Sequence, residues 1–407
     1  MFRSLIEPQT AQPTIQPRYE VADIMRLYGD DYRRQYPVSY QQQLVMRDIV
    51  QCRTAALGGH VDACDGCGVL PVSYNSCRNR HCPKCGGLAK AEWLEQQKAQ
   101  LLPTHYFHVV FTIDHAFNPL ARANQKVVYD LLFRSAAATL KAFGQRHLGG
   151  EIGFTTVLHT WGQTLNEHLH LHCLVPGGAL TANGQRWRQT SPDFLFPIEA
   201  LSAQFRDSFC AGLQQLYHAE QLRFAGQSAP YADADAFGQL VASAQAKRWQ
   251  VYAKPPFGDA VQVLDYLGRY VQRVAISNHR ILAVDAGQVR FSYRDYKADG
   301  QEKAMTLSAV AFIRRFLQHV LPKRFVRIRH YGLLAPRYRR EKLARCRALL
   351  GQYAAGVTTP LSREEIIIAL LGPEPDRCPF CEAGRFQPDR VLAAHPARRR
   401  WQLVVQR

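Results

Sequence analysis

The side chains best suited to chemistry are three histidines at alternate positions, His168, His170 and His172, in the run from Asn166 to Val175. Residues two apart on a β-strand point to the same face, so these imidazoles would share one face while leucines take the other. Imidazoles about 7 Å apart along a strand can bind one divalent ion between them. The pattern therefore predicts a metal site on a strand, and a structural or zinc-type site is the plainer alternative.

A second group of reactive side chains lies in the run VQVLDYLGRYVQRV, from Val261 to Val274. If the run is a helix, its polar residues fall within an arc of about 100° around the helix axis. This polar face carries Gln262, Tyr266, Arg269, Tyr270 and Arg273. Nearby positive charge lowers the pKa of a tyrosine from about 10, and arginine matches the geometry of a phosphate. The face predicts either a nucleophilic site that acts on phosphate or a surface helix that contacts nucleic acid.

The cysteines provide another metal signal, because six of the eleven lie between Cys52 and Cys85. In a reducing compartment such clusters are more often metal ligands than disulfides. Cys64-x-x-Cys67 and Cys82-x-x-Cys85 together match the four-thiolate set of a tetrahedral zinc ion. We therefore expect these two pairs to share one structural zinc.

Further ligand types surround these pairs. A second site of two cysteines and two histidines can be built from Cys52, His60, Cys77 and His81. Near the other end, Cys378-x-x-Cys381 supplies only half a site, for which Cys346 and His330 are candidate partners. Arg78 and Arg80 stand beside the first cluster and predict a loop that contacts DNA, with solvated charge as the simpler reading.

The charge of the whole chain indicates a polyanionic partner. Lys and Arg total 51 against 33 Asp and Glu, a formal net charge of +18, in a chain of 407 residues that is 47% hydrophobic. No apolar run approaches the roughly 20 residues of a membrane span, and the first residues lack the apolar core of a signal peptide. We expect a cytoplasmic, nucleoid-associated protein with no membrane partner.

One basic stretch of the carboxyl-terminal quarter predicts a nucleic-acid-binding surface. Between Arg314 and Arg347 the only acid is Glu341, and Tyr331 and Tyr338 can stack on unpaired bases. The candidate DNA-binding residues there are Arg324, Arg327, Arg329, Arg337, Arg339 and Arg340. A merely solvated basic face fits less well where so few acids balance the charge.

The elements that position these residues follow from composition and period. Tyr106–Ile113, Phe154–Trp161 and Leu169–Val175 predict strands, mixed with helical segments at 127–143, 198–223 and 234–247. The mixture indicates an α+β or α/β catalytic domain. The expected division is a flexible arm (1–20), a helical and zinc-binding domain (21–102), the catalytic domain (104–300) and a basic helical region (301–407).

Several of these motifs together resemble a known family. His170-Leu171-His172 resembles the His-hydrophobic-His motif of the HUH single-strand endonucleases, and Tyr266 and Tyr270 resemble their two-tyrosine helix. Over roughly residues 20 to 382, the chain is similar to transposases of rolling-circle insertion sequences, the insertion-sequence-91 family. The runs that carry this similarity are YNSCRNRHCPKC, LHTWGQTLNEHLHLHCLVPGG, YLGRYVQRVAISNHRI and RHYGLLA. Leu169 stands where that family is expected to have proline, which leaves the pair His170 and His172 intact.

The resemblance implies an α+β fold with an antiparallel HUH-type sheet, a structural Zn²⁺ and a catalytic Mg²⁺ or Mn²⁺. His170 and His172 would hold the catalytic ion, with the third ligand open among His168, Gln163 and His159. Tyr266 or Tyr270 would attack single-stranded transposon ends and form a 5′-phosphotyrosine, and Arg269 and Arg273 would stabilise phosphoryl charge. The resemblance leaves the oligomeric state open, with a homodimer as one option. A replication initiator or relaxase with the same chemistry, and a non-catalytic zinc-containing DNA-binding regulator, are the alternatives.

Overall fold

A computed structural model of the chain describes residues 17–254, 264, 268, 275–295, 298–351 and 359–395. Most of the expected amino-terminal arm therefore lies outside the described residues. The helices are α1 (Val21–Gln35), α2 (Tyr40–Gln51), α3 (Gly87–Lys98), α4 (Asn118–Ala123), α5 (Gln125–Phe143), α6 (Ile198–His218), α7 (Ala234–Gln245), α8 (Ala309–Gln318), α9 (Arg339–Leu349) and α10 (Arg363–Leu371). Among these described helices, none is both long and apolar enough to cross a membrane.

The strands occur singly or in groups between the helices. They are β1 (Gly59–Cys64), β2 (Val72–Tyr74), β3 (Tyr106–Thr112), β4 (Gly150–Glu151), β5 (Gly153–Trp161), β6 (Glu167–Pro176), β7 (Gly178–Thr181), β8 (Trp187–Gln189), β9 (Val251–Lys254), β10 (Ile281–Asp285), β11 (Gln288–Asp295), β12 (Gln301–Ser308), β13 (Ile328–Gly332) and β14 (Phe386–Leu392). All the strand pairs in these sheets are antiparallel. The α+β class with antiparallel sheets is confirmed.

The sheet that carries the histidines has five strands in the order β13-β5-β6-β3-β9. One of its faces is covered by α5, α6 and α7, and the core between them is built on large aromatic residues such as Phe111, Phe133 and Phe205. Alternate residues of β6, Leu169, Leu171 and Cys173, belong to this core. The strand period therefore sends the residues between them, including the histidines, to the other face.

The secondary structure around this sheet agrees closely with the patterns in the sequence. The strands predicted at 106–113, 154–161 and 169–175 are β3, β5 and β6, and the helix predicted at 127–143 is α5. The break predicted at Tyr36-Pro37 separates α1 from α2, and α2 begins with reciprocal bonds between Ser39 and Gln42. The carboxyl-terminal quarter, expected to be helical, also contains β12, β13 and β14.

The chain divides into two compact units whose limits differ from the expected domains. One unit contains the described residues of 1–92, 272–320 and 361–407, and the other those of 93–271 and 321–360. Residues 275–300, expected in the catalytic domain, and 361–395, expected in the basic region, thus join the amino-terminal unit. Long-range pairing explains this: β14 pairs with β1, and the Gln42 side chain donates to the Leu317 carbonyl at 3.0 Å.

Candidate metal and nucleotidyl-transfer site

Histidines from three neighbouring strands meet on the face of the five-stranded sheet that is opposite α5, α6 and α7. In the antiparallel register His159 of β5 lies directly opposite His170 of β6, and His172 lies opposite Val110 of β3. Directly opposite residues share a face, and so do residues two apart. His108, two residues before Val110, therefore faces the same side. The structure brings His108, His159, His170 and His172 together.

The ring nitrogens of this cluster have the spacing of ligands on one ion. The Nε2 atoms of His170 and His172 are 3.1 Å apart, and one nitrogen from each of His159, His170 and His172 lies within 4.8 Å of the others. Two imidazole nitrogens bound to one ion at about 2.1 Å are separated by about 3.0 to 3.4 Å. The three nitrogens therefore lie near enough to one another to be candidate ligands of a single ion.

Hydrogen bonds on the far side of the rings orient the nitrogens toward the cluster. His170 Nδ1 lies 2.9 Å from the His168 carbonyl, to which it donates its proton, and this leaves the lone pair on Nε2. His172 Nδ1 lies 2.7 Å from Nε2 of His108. With His172 Nε2 directed at the ion, its Nδ1 donates and His108 accepts. Such outer bonds fix the ring and the tautomer of metal-binding histidines.

Burial keeps these imidazoles neutral. Loss of solvation lowers the pKa of His170 to about 3 and the pKa of His159 and His172 well below the usual 6.5, and the other histidines nearby add to the shift. Burial likewise lowers the pKa of His108 to about 4. A metal ion binds the neutral form of imidazole. The donor set, three buried neutral nitrogens, fits a divalent ion and suits Mn²⁺ better than Mg²⁺, because imidazole is a softer ligand than carboxylate or water.

The candidates for the third ligand are placed differently from one another. His159 belongs to the three-nitrogen cluster, whereas His168 packs its ring against His115 with 5.3 Å between ring centres. Gln163 lies in the turn between β5 and β6. His108, which the sequence analysis did not single out, was detectable as a polar residue at an alternate position in an otherwise apolar strand. The geometry favours His159 as the third ligand.

The predicted catalytic residues Tyr266, Tyr270, Arg269 and Arg273 lie outside the described residues. Two helical residues of the same run are described, Leu264 and Gly268, and both are buried. Leu264 packs in one cluster with Leu94, Tyr106 and Leu174. Leu174 alternates with His170 and His172 on β6, so it faces the same side of the sheet. Leu264 therefore packs on the same side of the sheet as the histidines.

Some of the predicted DNA-binding arginines are engaged within the fold. Arg329 forms an ion pair with Asp130, and its guanidinium lies 4.0 Å from the centre of the Phe133 ring. Arg327 is buried, and its charge contributes to lowering the pKa of His159 after the larger effect of burial. Arg339 donates to the Gln100 side chain at 2.9 Å. The exposed members of the set are Arg78, Arg324, Arg337 and Arg340, while Arg80 is half-buried.

The cysteines group differently from the sequence expectation. One cluster consists of Cys52, Cys77, Cys82 and Cys85, and a second consists of Cys64, Cys67, Cys378 and Cys381. The expectation that Cys64-x-x-Cys67 and Cys82-x-x-Cys85 share one ion is therefore wrong. Pairing of β1 with β14 carries the first of these pairs to the carboxyl-terminal one instead.

The remaining proposed ligands have other contacts. His60 faces Asp62 at 3.3 Å, and His81 Nδ1 lies 3.0 Å from the Asn79 side-chain oxygen. His330 bonds to the Thr155 hydroxyl at 2.9 Å, and Cys346 is buried in an apolar cluster. These contacts correct two expectations. One is the site of two cysteines and two histidines, and the other is that Cys346 and His330 are partners of Cys378.

Comparison with known proteins identifies the family. Residues 24–113 match a transposase zinc-binding domain, and residues 153–342 match a family described as a putative transposase. The putative transposase y4qJ of Sinorhizobium fredii is 48% identical over 373 residues, which cover 90% of this chain and 94% of that protein. The chain belongs to the insertion-sequence-91 family of transposases.

This transposase also has a more distant relative and a remote structural neighbour. The transposase for insertion sequence element IS801 of Pseudomonas savastanoi pv. phaseolicola is 30% identical over 342 residues, 82% of this chain and 80% of that protein. A copper-bound structure of the conjugative relaxase TrwC with oriT DNA covers 40% of this chain and 68% of its own at 14% identity and a TM-score of 0.24. The match to the transposase family spans His159, His170 and His172, and the match to the zinc-binding domain spans the cluster that contains Cys52.

Proposed function

We propose that this transposase cuts and rejoins single-stranded DNA at the ends of an insertion sequence by means of a tyrosine nucleophile. The observation that carries the proposal is the group of three buried, neutral imidazoles, His159, His170 and His172, on one face of a sheet. Such a group is built to hold a divalent ion rather than to fill a core, because a buried polar ring without a role costs stability. When bound there, Mn²⁺ or Mg²⁺ supplies Lewis-acid polarisation of a scissile phosphate.

Two described residues of the run that contains the tyrosines support a nucleophile near this site. Leu264 and Gly268 are buried one helical turn apart, and a methyl group on Gly268 would lie 2.7 Å from the Leu94 side chain. This close packing fixes Leu264 and Gly268 next to the face that His172 shares with Leu174. Tyr266 and Tyr270 each follow one of these two anchored residues by two positions in the sequence, which is why we assign the nucleophile to this run.

The proposed reaction conserves the number of phosphoester bonds and needs no external energy source. The phenolic oxygen of Tyr266 or Tyr270 bonds to phosphorus, and the bond from phosphorus to the 3′ oxygen breaks. The phenol loses one proton and the departing oxygen gains one, so the products are a 5′-phosphotyrosine and a free 3′-OH. Attack by a 3′-OH on the phosphotyrosine reverses the step and joins strands. We assign to Arg269 and Arg273 the stabilisation of the negative charge on the phosphoryl oxygens.

The test uses single strands that span both boundaries of the element carrying this gene. Incubation with Mn²⁺ should give a protein–DNA adduct that survives denaturation, and peptide mapping should find the DNA on the peptide that contains Tyr266 and Tyr270. The same sequences as fully paired duplexes are the control and should give much less adduct. Absence of any adduct on single strands would favour a non-catalytic DNA-binding protein. Cleavage and resealing without transfer to a second strand would favour an initiator or relaxase.

His108 gives a prediction about how the site is oriented. Replacing it with Ala removes the acceptor for His172 Nδ1, and loss of such an outer partner typically weakens metal binding about 10- to 100-fold. We expect His108→Ala to weaken Mn²⁺ binding by that factor. His108→Gln, which offers a carbonyl oxygen as acceptor, should recover part of it. Mn²⁺ titration followed by electron paramagnetic resonance measures the affinity without DNA.

The matched control for this prediction is His115→Ala. His115 is an exposed histidine whose ring packs on His168 rather than in the three-nitrogen cluster. Its removal should leave Mn²⁺ affinity within about twofold of the wild type. Equal losses for the His108 and His115 variants would show that His108 has no orienting role.

A further inference from the structure

We propose that this transposase binds a second structural zinc ion between the two ends of its chain, on Cys64, Cys67, Cys378 and Cys381. Distances between the sulfurs carry the argument. Sγ of Cys64 lies 3.7 Å from Sγ of Cys381, and Sγ of Cys67 lies 3.8 Å from Sγ of Cys378. Thiolates on a tetrahedral zinc with bonds of about 2.3 Å are about 3.8 Å apart, whereas a disulfide needs about 2.05 Å.

The backbone around the sulfurs is arranged for thiolates. The amides of Gly66 and Cys67 each lie 3.4 Å from Sγ of Cys64, and the amide of Gly384 lies 3.4 Å from Sγ of Cys381. Amide donors of this kind stabilise the charged sulfur and orient it toward the metal. Both halves of the site use the same device, although they lie more than 300 residues apart in the chain.

Two glycines allow the halves to meet. A methyl group on Gly384 would lie 2.5 Å from Sγ of Cys64 and 2.7 Å from the amide nitrogen of Gly66, and one on Gly66 would lie 3.0 Å from Cα of Gly384. The backbone is too close at this point for any side chain. This close contact between the two backbone segments brings the four sulfurs within reach of one ion.

The strands next to the site hold the same two segments in register. β1 pairs with β14 from Gly59 opposite Leu392 to Cys64 opposite Phe386. Beyond the strands, the Asp65 amide donates to the Arg385 carbonyl at 3.1 Å, and the Arg385 amide donates to the Asp65 side chain at 2.6 Å. The sheet therefore fixes where the cysteine pairs stand.

This site is separate from the zinc cluster within the amino-terminal segment. Cys52, Cys77, Cys82 and Cys85 form a complete four-sulfur set of their own, with sulfur distances of 3.2 and 3.4 Å to Cys85. The matched zinc-binding domain ends at residue 113, so it contains only one half of the second site. The amino-terminal zinc-binding unit is thus completed by residues near the carboxyl terminus.

The test is the zinc content of the full-length protein, purified under reducing conditions and dialysed against a mild chelator. We expect two zinc ions per wild-type chain and one in Cys378→Ser/Cys381→Ser. Gly384→Ala should also retain one, because its methyl group collides with the site. Gly87→Ala is the control, since a methyl group there meets nothing within 4 Å, and it should retain two.

A single zinc in the wild type, or two in the double serine variant, would overturn the proposal. Should a variant lose both ions through misfolding, cobalt titration of the wild-type apoprotein decides the question. Two equivalents should each add the absorption of a tetrahedral thiolate site, and saturation at one equivalent would contradict the proposal. None of these measurements uses DNA, so their outcome is independent of strand cleavage.

Discussion

A chain with Tyr266→Phe and Tyr270→Phe is expected to form no covalent adduct with single-stranded element ends, while still binding them. Phenylalanine keeps the ring but lacks the oxygen that must bond to phosphorus. Loss of a nucleophile typically lowers the rate by at least about 10³-fold. Adduct formation is measured on denaturing gels with end-labelled strands, and binding by fluorescence anisotropy. The single variants should differ from each other, because the two strand breaks occur in sequence.

Tyr252 provides the matched control for the double variant. It is an exposed tyrosine of β9, paired with Val110, and it therefore stands on the same sheet face as the histidines. Tyr252→Phe should form the adduct at the wild-type rate. An adduct that persists in the double variant and disappears in Tyr252→Phe would move the nucleophile to β9 and reject the assigned helix.

The sequence predicted the strands of the five-stranded sheet well because the local signal was strong. Alternation of leucine and histidine in 168–172 was enough to define the strand, its faces and the pair His170 and His172. It did not define the third ligand, since His159 depends on the register of β5 against β6. Continued from Trp161 opposite Glu167, a regular ladder would place His159 opposite Leu169, and the register shift between His159 and Trp161 places it opposite His170 instead.

The cysteines show a different limit of sequence reasoning. The Cys-x-x-Cys spacing identifies each half of a zinc site, because the two sulfurs of a knuckle are local. Which halves combine depends on chain topology, and here Cys64 and Cys67 are joined to a pair over 300 residues away. Arg329 shows the same limit, because its ion pair with Asp130 is made across 199 positions of the sequence.

The histidine cluster gives the second large expected effect. His159→Ala, His170→Ala and His172→Ala each remove one of three buried nitrogen donors, so each should weaken Mn²⁺ binding by more than the roughly 100-fold upper range for outer-shell partners. Adduct formation should fall by at least about 10³-fold in each variant, because the scissile phosphate loses its polarising ion. The measurements are Mn²⁺ titration and adduct yield on single-stranded ends.

His168→Ala separates a ligand role from mere proximity to the cluster. His168 shares the strand and the face, and its ring packs on His115 and against the His170 ring, but it lies outside the three-nitrogen cluster, and its backbone carbonyl accepts the bond from His170. The carbonyl survives the substitution, so Mn²⁺ affinity should stay within a few-fold of the wild type. Zinc content should be unchanged in all four histidine variants, because the cysteine clusters contain none of these residues. If His168→Ala lost Mn²⁺ binding while His159→Ala kept it, the third ligand would be His168, and β6 alone would supply all three nitrogens.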